Sequence, residues 1–275
     1  MRLKGRRIAV VIFVAVCGPA GPAIAQQSAD WSLCSNGGVP AQQRISGCTA
    51  VINSRTENTT RLAIAYNNRG FAYFERNIQN RAIADFDEAI KLNPNEAIYY
   101  YNRGNSHLSK NELDAAIADF DHSIQLNAKF AEPYAGRGRA YANKEDFDHA
   151  IADLSQAIRL DPKLPRAYSN RGVVYIKKRE FTLAAADFDQ AVRLDQTYTT
   201  AYVYRGIANY NRGLWRTAIA DFDAALKIEP NHVEALYGRG MAKRKHGDSS
   251  AAADIEAATA LQSDIAQAMA NFGVR

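Results

Sequence analysis

Hydrophobic and small residues recur along this chain with a period of 34 residues. When each unit is numbered so that a glycine stands at position 8, the first unit begins at Ala63 and the sixth at Val233. Tyrosine at position 4, glycine at position 8 and often tyrosine at position 11 lie on one face of a helix, because they are spaced i, i+4, i+7. Alanine at position 20, phenylalanine at 24 and alanine at 27 form the same stripe on a second helix. The pattern therefore predicts six repeated pairs of helices.

The residue sizes within these stripes suit two helices that pack closely. Glycine at position 8 and alanine at positions 20 and 27 allow a close approach, while the rings at positions 4 and 24 fill the space beside them. Proline stands at position 32 in three units and indicates the turn into the next unit, because it cannot continue a helix. The glycines at position 8 are Gly70, Gly104, Gly138, Gly172, Gly206 and Gly240.

This pattern resembles the tetratricopeptide repeat, which reads W-x2-L-G-x2-Y, then A-x3-F, then P, with the same period. The resemblance covers roughly residues 63–262. It implies an all-α, right-handed solenoid of six helix-turn-helix units. The sixth unit has one residue fewer before its second helix, so that Asp254, Ile255 and Ala258 take positions 23, 24 and 27.

Two charged positions depart from the family pattern in every unit. Position 7 is arginine where the family has leucine, from Arg69 to Arg239, and position 23 is aspartate, from Asp85 to Asp254. Our hypothesis is that these residues pair, either between the two helices of a unit or with the adjacent unit. Such pairs would fix the register of the helices more than they add stability. The alternative is a solvated charge on each helix.

The two ends of the repeat array are expected to act as caps, as terminal units of solenoids must. We assign residues 26–62 to an N-terminal cap with a degenerate half unit, and residues 263–275 to a C-terminal capping helix. The half unit rests on a spacing like that of Ala82, Phe86, Ala89 and Leu92, here carried by Ala41, Ile45, Cys48 and Val51. The apolar face of the capping helix consists of Ile265, Ala268, Met269 and Phe272.

Residues 1–25 have the pattern of a secretory signal peptide. A basic start is followed by an apolar run from Ile8 to Cys17 and by a small-x-small box that ends at Ala25. We expect cleavage after Ala25 and export, to a bacterial periplasm. The alternative is an outer-membrane lipoprotein modified at Cys17, although the lipoprotein pattern has a small residue before the cysteine and this chain has Val16.

Cleavage after Ala25 leaves two cysteines, Cys34 and Cys48. An even number of cysteines in an oxidising compartment predicts one disulfide. The alternative is two free thiols. A redox enzyme is not indicated, because the spacing is far longer than Cys-x-x-Cys.

Most of the net charge of +5 comes from residues 1–25. Four of the basic residues lie there, and the remainder of the chain has 30 basic and 29 acidic residues. A nearly neutral chain lacks the basic surface of a nucleic-acid binder, so we expect no nucleic acid as partner. We also expect no membrane insertion after signal cleavage.

The sequence contains no recognisable catalytic or metal-binding motif. The five histidines are scattered, and the paired carboxylates recur with the period, which favours a structural role. We therefore expect no enzyme activity, no cofactor and no metal. The predicted function is that of a scaffold or adaptor that binds another protein or peptide. The alternatives are a self-associating structural protein, possible as a homo-oligomer, a cell-envelope assembly accessory, or a secreted effector acting on a host.

The resemblance also implies where a partner binds, in the concave groove lined by the first helix of each unit. Asparagine and arginine there can bind a peptide backbone or a carboxylate, and tyrosine supplies rigid contact area. The residues expected to line this groove are Tyr101, Asn102, Asn105, Arg139, Asn143, Arg166, Asn170, Lys177, Tyr210 and Asn211.

Overall fold

A computed structural model describes residues 24–275, with side chains from residue 29, as fifteen α-helices without a strand among these residues. Most of the predicted signal peptide, including Cys17, lies outside the described residues. The helices are α1 Ile24–Ser35, α2 Ala41–Ser54, α3 Thr59–Glu75, α4 Gln79–Leu92, α5 Ala97–Ser109, α6 Leu113–Leu126, α7 Ala131–Asn143, α8 Phe147–Leu160, α9 Pro165–Lys177, α10 Phe181–Leu194, α11 Thr199–Asn211, α12 Trp215–Ile228, α13 Val233–His246, α14 Ala251–Leu261 and α15 Ile265–Ala270.

The described chain divides into two compact units, residues 24–128 with α1–α6 and residues 129–275 with α7–α15. Within both units, consecutive helices pack as pairs, α1 with α2, α3 with α4, and so on to α13 with α14. These are the helical hairpins that the period predicts, and the all-α solenoid architecture is confirmed.

The turn inside each repeat depends on one residue with left-handed backbone at position 15. The φ angles there lie between 61° and 84°, at Asn77, Asn111, Glu145, Arg179, Gly213 and Gly247. Glycine and asparagine adopt this conformation readily, whereas a longer L side chain is strained by about 1–2 kcal/mol. Glu145 and Arg179 therefore hold a turn geometry that their own preferences oppose.

The core of each repeat forms where the glycine of the first helix meets a large apolar side chain of the second, a phenylalanine ring in four repeats, Leu154 in the third and Ile255 in the sixth. A Cβ atom added to Gly172 would lie 2.8 Å from Phe188 Cζ, and one added to Gly206 would lie 2.8 Å from Phe222 Cε1. Both rings are fully buried. The small residue at position 8 is thus required by close packing, as the residue pattern predicts.

The sixth repeat keeps this core although its second helix is short. Helix α14 has 11 residues where α12 has 14, and Gly247, with φ of 84°, ends α13. Ile255 still packs on Gly240, and Asp254 lies beside it. The predicted shift by one residue is confirmed.

The N-terminal cap differs from the expected half unit in two ways. First, it is a full pair of helices, because residues before Cys34 also form a helix that packs on α2. Second, the expected register is wrong by three residues. Arg69 Nη1 donates to Thr49 Oγ1 at 3.2 Å, as Arg171 Nη1 donates to Ser155 Oγ at 2.9 Å, so Thr49 stands at position 25.

This register places Cys48 at position 24, where other repeats carry the ring, and not at the small-residue position 27. Cys34 and Cys48 are joined by a disulfide with their Cα atoms 4.5 Å apart. The bond thus replaces the glycine–ring contact of the other repeats. The same shift places Arg44 at position 20, where the other repeats have alanine, and only 1% of Arg44 is exposed.

The burial of Arg44 explains why the register predicted for α2 is wrong. A charged residue is read as exposed, yet here the guanidinium lies 5.6 Å from the Phe71 ring and Nη2 donates to Glu75. Burial raises the pKa of Glu75, which the nearby arginine opposes. The N-terminal pair therefore has a covalent link within it, and its buried Arg44 forms an ion pair with Glu75 of α3, whose side chain is 34% exposed.

Candidate functional site

The first helix of every repeat is held in place by its arginine at position 7. In all six repeats two N–H groups of this arginine bind the aspartate at position 23, with N–O distances of 2.5 to 2.9 Å. The aspartates are nearly buried, from 4% exposed at Asp221 to 8% at Asp254. The pairing hypothesis is confirmed, and the alternative of solvated charges is wrong.

The same arginines also connect neighbouring repeats. The remaining nitrogen, Nη1, reaches position 25 of the preceding repeat, for example Asp87 from Arg103 at 2.6 Å and Asp223 from Arg239 at 2.7 Å. In four repeats the guanidinium also lies 5.5 to 5.7 Å from the tyrosine ring at position 4. Each of these contacts restricts how one repeat is placed on the next.

The acidic partners differ in electrostatic environment. Burial raises the pKa of Asp221 above its ordinary value, although Arg205 and Asn209 oppose this. Burial also acts on Asp254, but two cations, Arg239 and Lys243, outweigh it and lower the pKa of that carboxyl. The two pKa values therefore shift in opposite directions, because Asp221 is the less exposed of the two, at 4% against 8%, and Asp254 has a second cation beside it.

The first helices form a continuous inner face within each compact unit. In the N-terminal unit α3 contacts both α1 and α5, and in the C-terminal unit α9 contacts α7 and α11, which contacts α13. Within either unit the second helices of adjacent repeats make no such contact with each other. Side chains on the first helices can therefore meet a common ligand.

The inner face of the N-terminal unit contains a chain of asparagine side chains. Asn102 Nδ2 donates to Asn67 Oδ1 at 2.9 Å, and Asn67 Nδ2 donates to Asn68 Oδ1 at 3.2 Å. Asn68 Nδ2 donates in turn to the carbonyl of Cys34 at 3.3 Å. Of these residues only Asn102 belongs to the predicted groove set, and its buried amide group joins two repeats.

The two other predicted groove residues of this unit are half-buried. Asn105 Nδ2 donates to the carbonyl of Tyr101 at 3.0 Å, one turn earlier in the same helix. The Tyr101 ring lies 6.1 Å from that of Phe120. These side chains are therefore partly supported by the repeat and still reach solvent.

The C-terminal unit presents the exposed members of the predicted groove set. Arg139 and Asn143 on α7, and Arg166 and Lys177 on α9, are exposed, and Asn170 on α9 is half-buried. The side chain of Asn170 forms no hydrogen bond with the described residues. The predicted groove residues on α7 and α9 are thus cations and amides, and none of them is acidic.

The last two predicted residues, Tyr210 and Asn211, lie beneath another part of the chain. Residues 271–275 follow α15 and cover them, with Asn211 Nδ2 donating to the carbonyl of Phe272 at 2.9 Å. The cap itself contains the expected face, since Ile265 and Met269 are buried against the core of this unit. Nothing in the residue pattern predicts that the cap also covers the groove side of α11.

A pocket of about 180 Å³ lies where the cap meets the inner face. Its edge is polar, since His232 Nδ1 lies 3.2 Å from Glu234 Oε2, and this neighbour lowers the pKa of Glu234. Burial raises the pKa of Tyr204 in its wall. The lining residues are Thr200, Val203, Tyr204, Ile207, His232, Glu234, Ala268, Met269 and Phe272.

The part of the chain that the structure describes contains neither a candidate metal centre nor a candidate membrane span. No group of three or more histidine, cysteine, aspartate or glutamate side chains is placed to hold a metal ion there. Among the described helices, none is long and apolar enough to cross a membrane.

Solved structures provide the comparisons for the fold. YrrB, "a TPR protein with an unusual peptide-binding site", is 29% identical, covers 66% of this chain and 96% of its own, and has a TM-score of 0.54. PilF from Pseudomonas aeruginosa is 16% identical, covers 75% and 94%, and has a TM-score of 0.67. PilW, a "widely conserved type IV pilus biogenesis factor", is 17% identical, covers 73% and 93%, and has a TM-score of 0.66.

Family models agree with these comparisons over most of the repeat array. No curated protein matches the sequence. Tetratricopeptide repeat models match residues 63–96, 97–130, 165–198 and 205–269, and a TPR repeat model matches residues 138–179. The chain, with its helix pairs and a close-packed glycine in each of its six repeats, therefore belongs to the tetratricopeptide repeat proteins.

Proposed function

We propose that this protein is a non-enzymatic scaffold, exported to the periplasm, that binds a peptide or helix of another protein along its inner faces. The observation that carries the proposal is the contrast on the first helices. Their arginines at position 7 are bound within the framework, as Arg171 is by Asp187 and Ser155, whereas on α9 the side chains of Arg166 and Lys177 are exposed and that of Asn170 is half-buried. Tetratricopeptide repeat proteins are in general interaction scaffolds of this kind.

The chemistry of α9 favours a partner with carboxylate groups or an exposed backbone. Arginine and lysine form charge-assisted hydrogen bonds with carboxylates, and an asparagine amide can both donate to and accept from a peptide group. Lys177 Nζ lies 5.8 Å from the centre of the Phe147 ring, and this cation–π contact restricts the position of the lysine charge. Several such contacts, each weak, would sum along adjacent repeats.

Two further observations support the proposal. YrrB, at 29% identity, is described as having a peptide-binding site. The disulfide between Cys34 and Cys48 suits an oxidising compartment, as does the signal-like segment before Ala25.

The test for binding compares two matched pairs of charge-removing substitutions. Arg166→Ala with Lys177→Ala removes two cations from the inner face. Arg159→Ala with Lys163→Ala removes two exposed cations at and just after the end of α8. Proteins crosslinked to each variant in the intact cell envelope are quantified by mass spectrometry. We expect the first variant to lose at least tenfold of its specific crosslinks and the second to keep them.

Equal crosslinking of both variants would contradict a role for the inner face of α9. Circular dichroism of both proteins serves as the control for folding. Export is tested separately by cell fractionation and sequencing of the mature N-terminus, which we expect to begin at Gln26 with Cys34 and Cys48 oxidised. Recovery of the full-length chain in the cytoplasm would contradict export and leave the binding test intact.

A further inference from the structure

Residues 271–275 cover two side chains that the repeat register assigns to the groove. Asn211 Nδ2 donates to the carbonyl of Phe272 at 2.9 Å, and the Tyr210 hydroxyl donates to the carbonyl of Arg275 at 2.5 Å. The partners are 61 and 65 residues apart in sequence. Two groove donors are thus occupied by backbone carbonyl groups, which any peptide also carries.

The side chains of this segment fit the same face. The Phe272 ring meets the Tyr204 ring edge-on at 5.6 Å, and Val274 is fully buried. Between them, Gly273 has φ of +81°, and a Cβ atom there would lie 2.2 Å from Asn211 Oδ1. The surface therefore accepts an aromatic residue, then glycine, then an aliphatic residue, and no larger residue fits in the middle.

The fit is incomplete on one side of Phe272. The pocket of about 180 Å³ extends from this ring to Thr200 and Val203 on α11. A side chain larger than phenylalanine at this place would gain contacts with Thr200 and Val203. The surface can therefore be filled better than residues 271–275 fill it.

We infer that the inner face of α11 is a peptide-binding subsite that residues 272–275 occupy within their own chain. The partner is a protein segment with an aromatic–glycine–aliphatic sequence, whose carbonyl groups bind Tyr210 and Asn211. This inference rests on the proposed function, since it names the ligand chemistry of one part of the same inner face. Residues 272–275 then act as a competitor whose tethering gives it a high effective concentration.

The test uses the full chain with Gly273→Ala, because the added Cβ atom collides with Asn211 and disfavours the bound turn. The probe is a fluorescein-labelled peptide with the sequence of residues 269–275, and binding is measured by fluorescence anisotropy. We expect Gly273→Ala to bind this peptide at least tenfold more tightly than the wild-type chain. A peptide with alanine in place of the phenylalanine should bind at least tenfold more weakly than the probe.

A second variant, a chain ending at Asn271, removes the competitor without adding a clash and should bind the probe as Gly273→Ala does. Tyr210→Phe in this shortened chain removes one donor and should weaken binding about threefold to tenfold. If neither Gly273→Ala nor the shortened chain binds the probe while both keep the wild-type circular dichroism, residues 272–275 are only a cap and the inference is wrong. Equal binding by the wild-type chain would also overturn it.

The outcome is independent of the test on α9. Loss of crosslinks on replacing Arg166 and Lys177, together with no binding of the probe by the shortened chain, would remove the subsite and keep the proposed function. Binding of the probe by the shortened chain, together with unchanged crosslinks on replacing Arg166 and Lys177, would keep the subsite and remove the role of α9.

Discussion

Removing Arg205 from its pair with Asp221 should destabilise the fifth repeat strongly and in a pH-dependent way. Asp221 is 4% exposed and accepts Arg205 Nε at 2.9 Å and Nη2 at 2.7 Å. Breaking a buried pair by removing one partner costs about 3–5 kcal/mol. The arginine side chain is 21% exposed, and Asn209 still donates to the carboxylate, so we expect about 2–4 kcal/mol for Arg205→Met.

The pH dependence follows from the pKa of Asp221. Burial already raises this pKa in the wild-type protein, and Arg205 opposes the rise. Without Arg205 the pKa rises further, so the folded variant binds a proton that the unfolded chain does not. A carboxyl with a raised pKa favours the folded state below its ordinary pKa, about 4, and this advantage is lost as the pH rises. The loss of stability should therefore be largest at pH 7 and smallest near pH 4.

The assay is urea denaturation followed by fluorescence of Trp215, which begins the second helix of the same repeat, in a Trp31→Phe background so that Trp215 is the single tryptophan. A local probe is needed because solenoids need not unfold in one step. The matched control is Arg193→Met, which removes an arginine that is 70% exposed and pairs with Asp189, and should cost less than about 1 kcal/mol. A loss below that of the control, or a loss independent of pH, would refute the burial argument.

Three further predictions concern other parts of the framework. Replacing Cys34 and Cys48 by serine should lower the stability of the N-terminal helix pair by about 3 kcal/mol in urea, and no change would show that the bond contributes nothing. Glu145→Gly should raise the unfolding free energy by about 0.5–1 kcal/mol by relieving a left-handed residue, so a lower melting temperature would contradict the strain. Gly172→Ala should cost about 1–2 kcal/mol, since overpacking exceeds the gain in helix propensity; stabilisation in a thermal melt would exclude the clash.

The sequence determined the repeated features of the molecule. The contact of the glycine with a large apolar side chain and the Arg–Asp pair join residues about 16 positions apart, as between Arg171 and Asp187, and both recur in every repeat. Because each position recurs in six repeats, its role can be compared among them. Even the shortened sixth repeat can be aligned, with Asp254 at position 23. Contacts that are local in sequence and periodic can be predicted from residue pattern alone.

Only the tertiary structure decided the features that occur once. In the first helix pair Arg44 is buried at position 20, where the other repeats have alanine. This exception occurs once, so no other repeat indicates the correct register of α2. The covering of Tyr210 and Asn211 depends on contacts across 65 and 61 residues. Such contacts are set by how the chain end packs on an inner face already formed by other repeats, and a period of 34 residues carries no information about them. The period therefore determined the framework, and the packing of the two ends decided which part of the groove is open.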